Sequence, residues 1–187
     1  FLKSKESKFD VYEAGHTSTS LSAAAGFALS RKLSNENNKI ISIIGDGALT
    51  GGVAFEGLNL IGSLKEDVLV VLNDNEMSIA PNVGGFSKYF NKMITNKIYL
   101  KTKKEVQKIM KNLKIGDNLI DFVERIEESM KNIVIKGAFF EDLGFEYFGP
   151  VDGHDIEEMI DIIEKIKNID GPKLLHVYTQ KGKGYEK

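Results

Sequence analysis

Ile40-Ile41-Ser42-Ile43-Ile44-Gly45-Asp46-Gly47 decides how this chain is read, together with its echo Val68-Leu69-Val70-Val71-Leu72-Asn73-Asp74-Asn75. Each begins as a short apolar run rich in β-branched residues, which predicts a strand buried on both faces of a sheet. Each ends in oxygen-bearing side chains. Between them, residues from about Thr50 to Ser63 carry a helical pattern, and Lys65-Glu66-Asp67 makes a short loop. Strand, helix and strand joined by short loops predict a parallel βαβ unit. In such a unit both strands end at one edge of the sheet, where open α/β folds bind ligands. An Asp and an Asn held there are hard oxygen donors suited to Mg²⁺, which takes few protein ligands and shares its shell with phosphate oxygens. Asp46 is one donor; Asn73 and Asn75 both qualify as the other. The glycines around Asp46 let a phosphate approach the backbone, and the helix that follows offers N-terminal amide groups to the same anion.

Working outward, Phe9-Asp10-Val11-Tyr12-Glu13-Ala14 reads as a further short strand. Gly15-His16-Thr17-Ser18 is a turn in which Thr17 or Ser18 suits a helix N-cap. The helix expected over 19–33 is rich in Ser, Ala and Gly, a composition that permits close backbone approach. Pro81, Asn82, Gly84 and Gly85 interrupt any periodicity after the second strand. Two amphipathic stripes follow, a weak one through Val106, Ile109, Met110 and Leu113 and a stronger one through Leu119, Val123, Ile126, Met130 and Ile133. Gly144 to Phe148 reads as a strand. Asp152-Gly153-His154-Asp155 then caps a helix whose apolar face is Ile156, Met159, Ile160, Ile163 and Ile166. Lys173 to Thr179 is the last strand. The pattern predicts one α/β domain over 1–187, a doubly wound and mainly parallel sheet of about five strands with an inserted helical segment near 84–137.

Composition narrows the functional classes. A chain of 187 residues is enough for one domain with a sizeable core. Its formal net charge is −2 and its basic residues are nearly all Lys, so nucleic acid is not an expected partner. No apolar run approaches a membrane span, and the charged opening is not a signal peptide. The absence of cysteine excludes a disulfide framework and fits a cytoplasmic setting. A polar start without Met and an end just after Lys181-Gly182-Lys183-Gly184-Tyr185 suggest a piece of a longer protein.

The pattern GDG, one helix, then Asn resembles the thiamine diphosphate motif of transketolase-like enzymes. The wording around it is closer to one family. GHTSTSLSAA (15–24), GDGALTGGVAFEGLN (45–59), LNDNEMSIAPNVG (72–84), GPVDGHD (149–155) and KGKGYE (181–186) resemble, in order, the 1-deoxy-D-xylulose-5-phosphate synthases. The resemblance covers nearly the whole chain and implies the diphosphate-binding domain of a thiamine diphosphate fold. It implies that the side chains of Asp46 and Asn75 and the carbonyl of Met77 ligate Mg²⁺. Of the two candidate asparagines it favours Asn75. It also implies that Gly47 and Ala48 donate backbone N–H groups to the diphosphate. His16 would lie beside cofactor and substrate, and Lys181 would line the active site. The implied parent enzyme is a cytoplasmic homodimer that condenses pyruvate with D-glyceraldehyde 3-phosphate, feeding isoprenoid and thiamine biosynthesis. The family's pyrimidine-binding and C-terminal domains are absent from these residues, so the 187 residues alone are expected not to turn over substrate.

Plainer readings stand beside these. His16 could be a turn histidine packed against a cap, and Lys181 a solvated surface charge. His154 reads as structural, flanked by capping aspartates, and His176 as a core or interface histidine. Two rival functions remain in view. The diphosphate half of a transketolase or 2-oxo acid dehydrogenase is disfavoured by the GPVDGHD and NDNEMSI stretches. A non-catalytic Rossmann module would want a third glycine after Gly45-Asp46-Gly47 and an acid where Asn73 stands.

Overall fold

The computed structural model describes residues 3–75 and 137–185. The elements in chain order are α1 (Ser20–Ser34), β1 (Ile40–Gly45), α2 (Asp46–Leu49), α3 (Gly52–Leu64), β2 (Val68–Asp74), β3 (Glu146–Asp152), α4 (Ile156–Ile166) and β4 (Lys173–Tyr178). Residues 137–142 are also helical. The strands form one parallel sheet in the order β1-β2-β4-β3. The βαβ unit forms as its pattern requires, with Ile40 opposite Val68 and Gly45 opposite Asn73. The α/β class and the parallel sheet are those expected from the sequence.

Strand alternation sends successive side chains to opposite faces. One face carries Ile44, Val68, Val70, Leu72 and Leu174, which pack under Leu21, Ala24, Ala25 and Ala28 of α1 and Ala54, Leu58 and Ile61 of α3. Small residues in α1 set the spacing of that layer. A Cβ on Gly57 of α3 would lie 2.7 Å from Leu21 Cβ, closer than packed carbons can sit, so only glycine allows this approach. The other face carries Leu69, Leu175, Val151 and Val177, covered by Ile166, Met159, Ile162 and Ile163 of α4.

Several expectations need correction. Residues 9–14 form no strand, and Phe9 and Val11 are exposed; alternation alone does not make a strand without a sheet edge to pair with. β1 is buried on one face only, for Ile41 and Ile43 are 59% and 69% exposed. It stands at the end of the four-stranded sheet and α4 covers the β3–β4 half. The buried stripe of α4 is rotated toward Met159, Ile162, Ile163 and Ile166, leaving Ile156 and Ile160 exposed. The strand read over 144–148 starts later, at Glu146, and runs on through Gly149 and Pro150 to Asp152. The N-cap of α1 is Thr19 rather than Thr17 or Ser18, and no side chain caps it. Asp155 does cap α4, accepting the Glu158 N–H at 3.0 Å. The expected insertion at 84–137 lies outside the described residues apart from its last position. No helix among the described residues is long and apolar enough to cross a membrane.

The amino-terminal edge of the sheet is tied by charge. The buried Arg31 guanidinium donates to the carbonyl oxygens of Asp67 (2.9 Å) and Asn38 (3.2 Å) and pairs with Glu66 (3.4 Å). The buried Lys173 ammonium pairs with Asp67 and donates to the carbonyl oxygens of Ile169 (2.5 Å) and Gly171 (2.9 Å). Lys39 reaches the second Asp67 oxygen at 2.6 Å. Burial pushes the Asp67 carboxyl up, but the bonds and charges of Lys173 and Lys39 outweigh it and hold the group below its usual range. A carboxyl with a depressed native pKa adds stability above its unfolded value, and loses it as pH falls through the native one.

Asp67→Asn should therefore cost about 2–3 kcal/mol at pH 7, the low end for breaking a buried pair because Asp67 is partly solvated and Lys173 keeps two carbonyls. The gap to the parent should close below about pH 4. Urea melts of both proteins from pH 3 to 7 check this, and a gap that does not change with pH would contradict it.

Candidate functional site at the carboxyl edge

The opposite edge collects the oxygen-bearing residues. Because β1 and β2 are parallel and in register, Asp46 follows Gly45 just beyond the point where Asn73 lies across from it. Asp46 opens α2 and is 4% exposed. Backbone N–H groups of Gly47, of Asp46 itself and of Asn75 favour its charged form. The influence of the Asn75 amide on Asp46 fits the two arms lying at one edge, as the sequence placed them. Burial pushes the Asp46 carboxyl above its ordinary range despite those donors, and the negative charge of Asp74 pushes it the same way. Two carboxylates thus lie within electrostatic reach at a dry sheet edge. A divalent cation bound there would relieve their repulsion and compensate the burial. The donor set fits Mg²⁺: hard oxygens, few of them, beside backbone that phosphate oxygens can approach.

Asn73 Oδ1 accepts the Thr179 hydroxyl at 2.7 Å, so its carboxamide oxygen is engaged in joining β2 to the end of β4. Thr179 also donates its N–H to the Asp74 carbonyl at 2.8 Å. The Gly47 N–H, assigned to a diphosphate from the resemblance, lies close enough to the Asp46 carboxylate to favour its charged form. Ala48 stands next in α2, and its carbonyl accepts the Ser18 hydroxyl at 2.6 Å. Ser18 seats against Gly51, where an added Cβ would lie 2.4 Å from Ser18 Oγ. That contact docks the 15–19 loop onto the Asp46 turn. His16 is in that loop and exposed, and its carbonyl accepts the Thr19 hydroxyl at 3.2 Å. Met77 lies outside the described residues.

β3 and β4 complete the edge. Gly153 N–H donates to the Tyr178 carbonyl at 2.8 Å, and the Gln180 N–H donates to His154 Nε2 at 2.7 Å. Asp152 Oδ1 accepts the His154 N–H at 3.0 Å. Lys181, exposed, follows directly on this latch. The sequence reading missed Ser18, Thr179 and the His154 latch. Thr179, one residue past a buried strand at the ligand edge, was the most legible of them; the other two depend on contacts between distant loops.

Known proteins resemble this chain closely. A family model described as 1-deoxy-D-xylulose-5-phosphate synthase matches residues 1–179. A protein of that name from Clostridium acetobutylicum is 52% identical over 99% of the chain, and one from Syntrophus aciditrophicus is 48% identical over all of it. The chain spans about three tenths of the length of these curated relatives, 30% and 29% respectively. The crystal structure of transketolase from Campylobacter jejuni shares the fold, with a TM-score of 0.58 and 23% identity over 91% of this chain and 21% of its own. The family model matches nearly the whole chain, and the chain belongs to the 1-deoxy-D-xylulose-5-phosphate synthase family.

Proposed function

We propose that this chain is the diphosphate- and Mg²⁺-anchoring domain of a synthase that condenses pyruvate with D-glyceraldehyde 3-phosphate to 1-deoxy-D-xylulose 5-phosphate and CO₂, a precursor for isoprenoids, thiamine and pyridoxal. The observation that carries this reading is the meeting of Asp46 and Asn75 at the carboxyl edge of two adjacent parallel strands. Asp46 and Asn75 would hold the metal through their side-chain oxygens, with the Met77 carbonyl as a third ligand. Ala48 and Gly47 would meet the diphosphate oxygens by their backbone N–H groups. Thiamine diphosphate supplies the carbanion chemistry when bound.

The remaining residues hold and orient. Ser18 fixes the loop that carries His16 against the same turn, so that His16 can face cofactor and substrate at that edge. Lys181, presented by the His154–Gln180 latch, would bring a cation toward the carboxylate of pyruvate or the phosphate of the acceptor. The assembled enzyme is read as a cytoplasmic homodimer on the family resemblance.

In the full-length synthase, Asp46→Ala and Asn75→Ala should each abolish Mg²⁺-dependent binding of thiamine diphosphate while leaving the thermal transition in place. Calorimetric titration with and without Mg²⁺ measures this, and unaltered binding would dismiss the metal assignment. A second measurement addresses the reaction. Pyruvate should be consumed with release of one CO₂ per 1-deoxy-D-xylulose 5-phosphate formed; two-carbon transfer from a ketose phosphate without CO₂ would favour a transketolase instead.

A further inference from the structure

A buried polar chain crosses three strands behind the candidate metal site, and no role assigned above uses it. Tyr147 on β3 lies 2.8 Å through its hydroxyl from His176 Nδ1 on β4. His176 Nε2 lies 3.1 Å from Asp74 Oδ2 on β2. His176 is 3% and Asp74 2% exposed. In a neutral imidazole one ring nitrogen donates and the other accepts. A carboxylate only accepts, so Nε2–H donates to Asp74 and Nδ1 accepts the Tyr147 hydroxyl. One tautomer satisfies every group, and the chain has a direction, ending on Asp74.

We propose that Tyr147 and His176 are positioning residues for the metal-binding arm, acting through Asp74. Asp74 immediately precedes Asn75, and its charge acts on Asp46. Its carbonyl is held by the Thr179 N–H, and His176 holds its side chain from the same strand. With Asp74 fixed at both ends, the chain leaves β2 on one course toward Asp46, which follows the Gly45–Asn73 pair. Stability alone would be served as well by apolar side chains in place of all three groups, because a buried polar chain carries a desolvation cost. A fully satisfied buried network instead fixes a single arrangement. Groups that orient a metal-binding arm from behind typically alter metal affinity when removed.

The inference rests on the metal reading of Asp46 and Asn75, and the test separates the two. Mn²⁺ serves as the probe in the full-length synthase with thiamine diphosphate present, its free signal followed by electron paramagnetic resonance. His176→Leu should weaken Mn²⁺ binding by about 10-fold, the scale seen when groups behind a metal ligand are removed. His176→Gln, whose amide N–H₂ can still reach Asp74, should recover most of that loss. Tyr147→Phe, which removes only a hydroxyl, should weaken binding by roughly two- to five-fold and keeps the test open if the leucine variant fails to fold. Asp46→Ala is the control. If it binds Mn²⁺ like the parent, the metal reading itself fails. If it loses Mn²⁺ while the Tyr147 and His176 variants bind like the parent, the positioning role is overturned. Equal losses in the leucine and glutamine variants would also overturn it, because the bond to Asp74 would then not matter.

Discussion

The parallel pairing of β1 with β2 is the constraint on which the rest depends. It sets Gly45 opposite Asn73. The next residue, Asp46, is then buried at the edge of the sheet, where the Asn75 amide favours its charged form. A buried carboxylate near a second one is an unfavourable arrangement on its own. It becomes favourable when a divalent cation and hydrogen-bond donors compensate it. The strand register creates that local frustration at one place, and the neighbouring loops are organised around it. Ser18 docks one of them onto the Asp46 turn, and Thr179 ties the end of β4 to β2.

The two edges of the sheet divide the work. At the amino edge Arg31, Lys39 and Lys173 meet Glu66 and Asp67 in bonds that close on themselves, cation to anion or carbonyl. At the carboxyl edge, among the described residues, Asp46 and Asp74 are buried, Asp74 against His176, while Lys181 is exposed beyond the strand end. The first arrangement stabilises. Between them Tyr147 and His176 lie within the sheet itself and connect the hydrophobic layer to the ligand edge.

The sequence carried the parts of this design that depend on periodicity. Ile40–Ile44 and Val68–Leu72 could only be strands, and their parallel pairing fixed where Asp46 would go. The capping Asp155 was legible because its bond is to a residue three positions away. What stayed hidden depends on partners far along the chain. The exposure of Ile41 and Ile43 follows from which half of the sheet α4 covers, and no local pattern states that. Phe9–Ala14 alternates like a strand yet has no ladder among the described residues. Asn73 and Asn75 were indistinguishable by type, and in the structure the Asn73 carboxamide accepts the Thr179 hydroxyl. His176 read as a core histidine, which it is; its bonds to Tyr147 and Asp74 appear only once β2, β3 and β4 lie side by side.

The central claim is that Asp46 and Asn75 hold a divalent cation that anchors a diphosphate. A crystal structure of the full-length synthase soaked with Mn²⁺ and thiamine diphosphate, with anomalous diffraction to locate the metal, tests it most directly. The account predicts an anomalous peak within about 2.2 Å of a side-chain oxygen of both residues, with diphosphate oxygens completing the shell. A metal bound to the diphosphate with either side chain turned away from it would contradict the account.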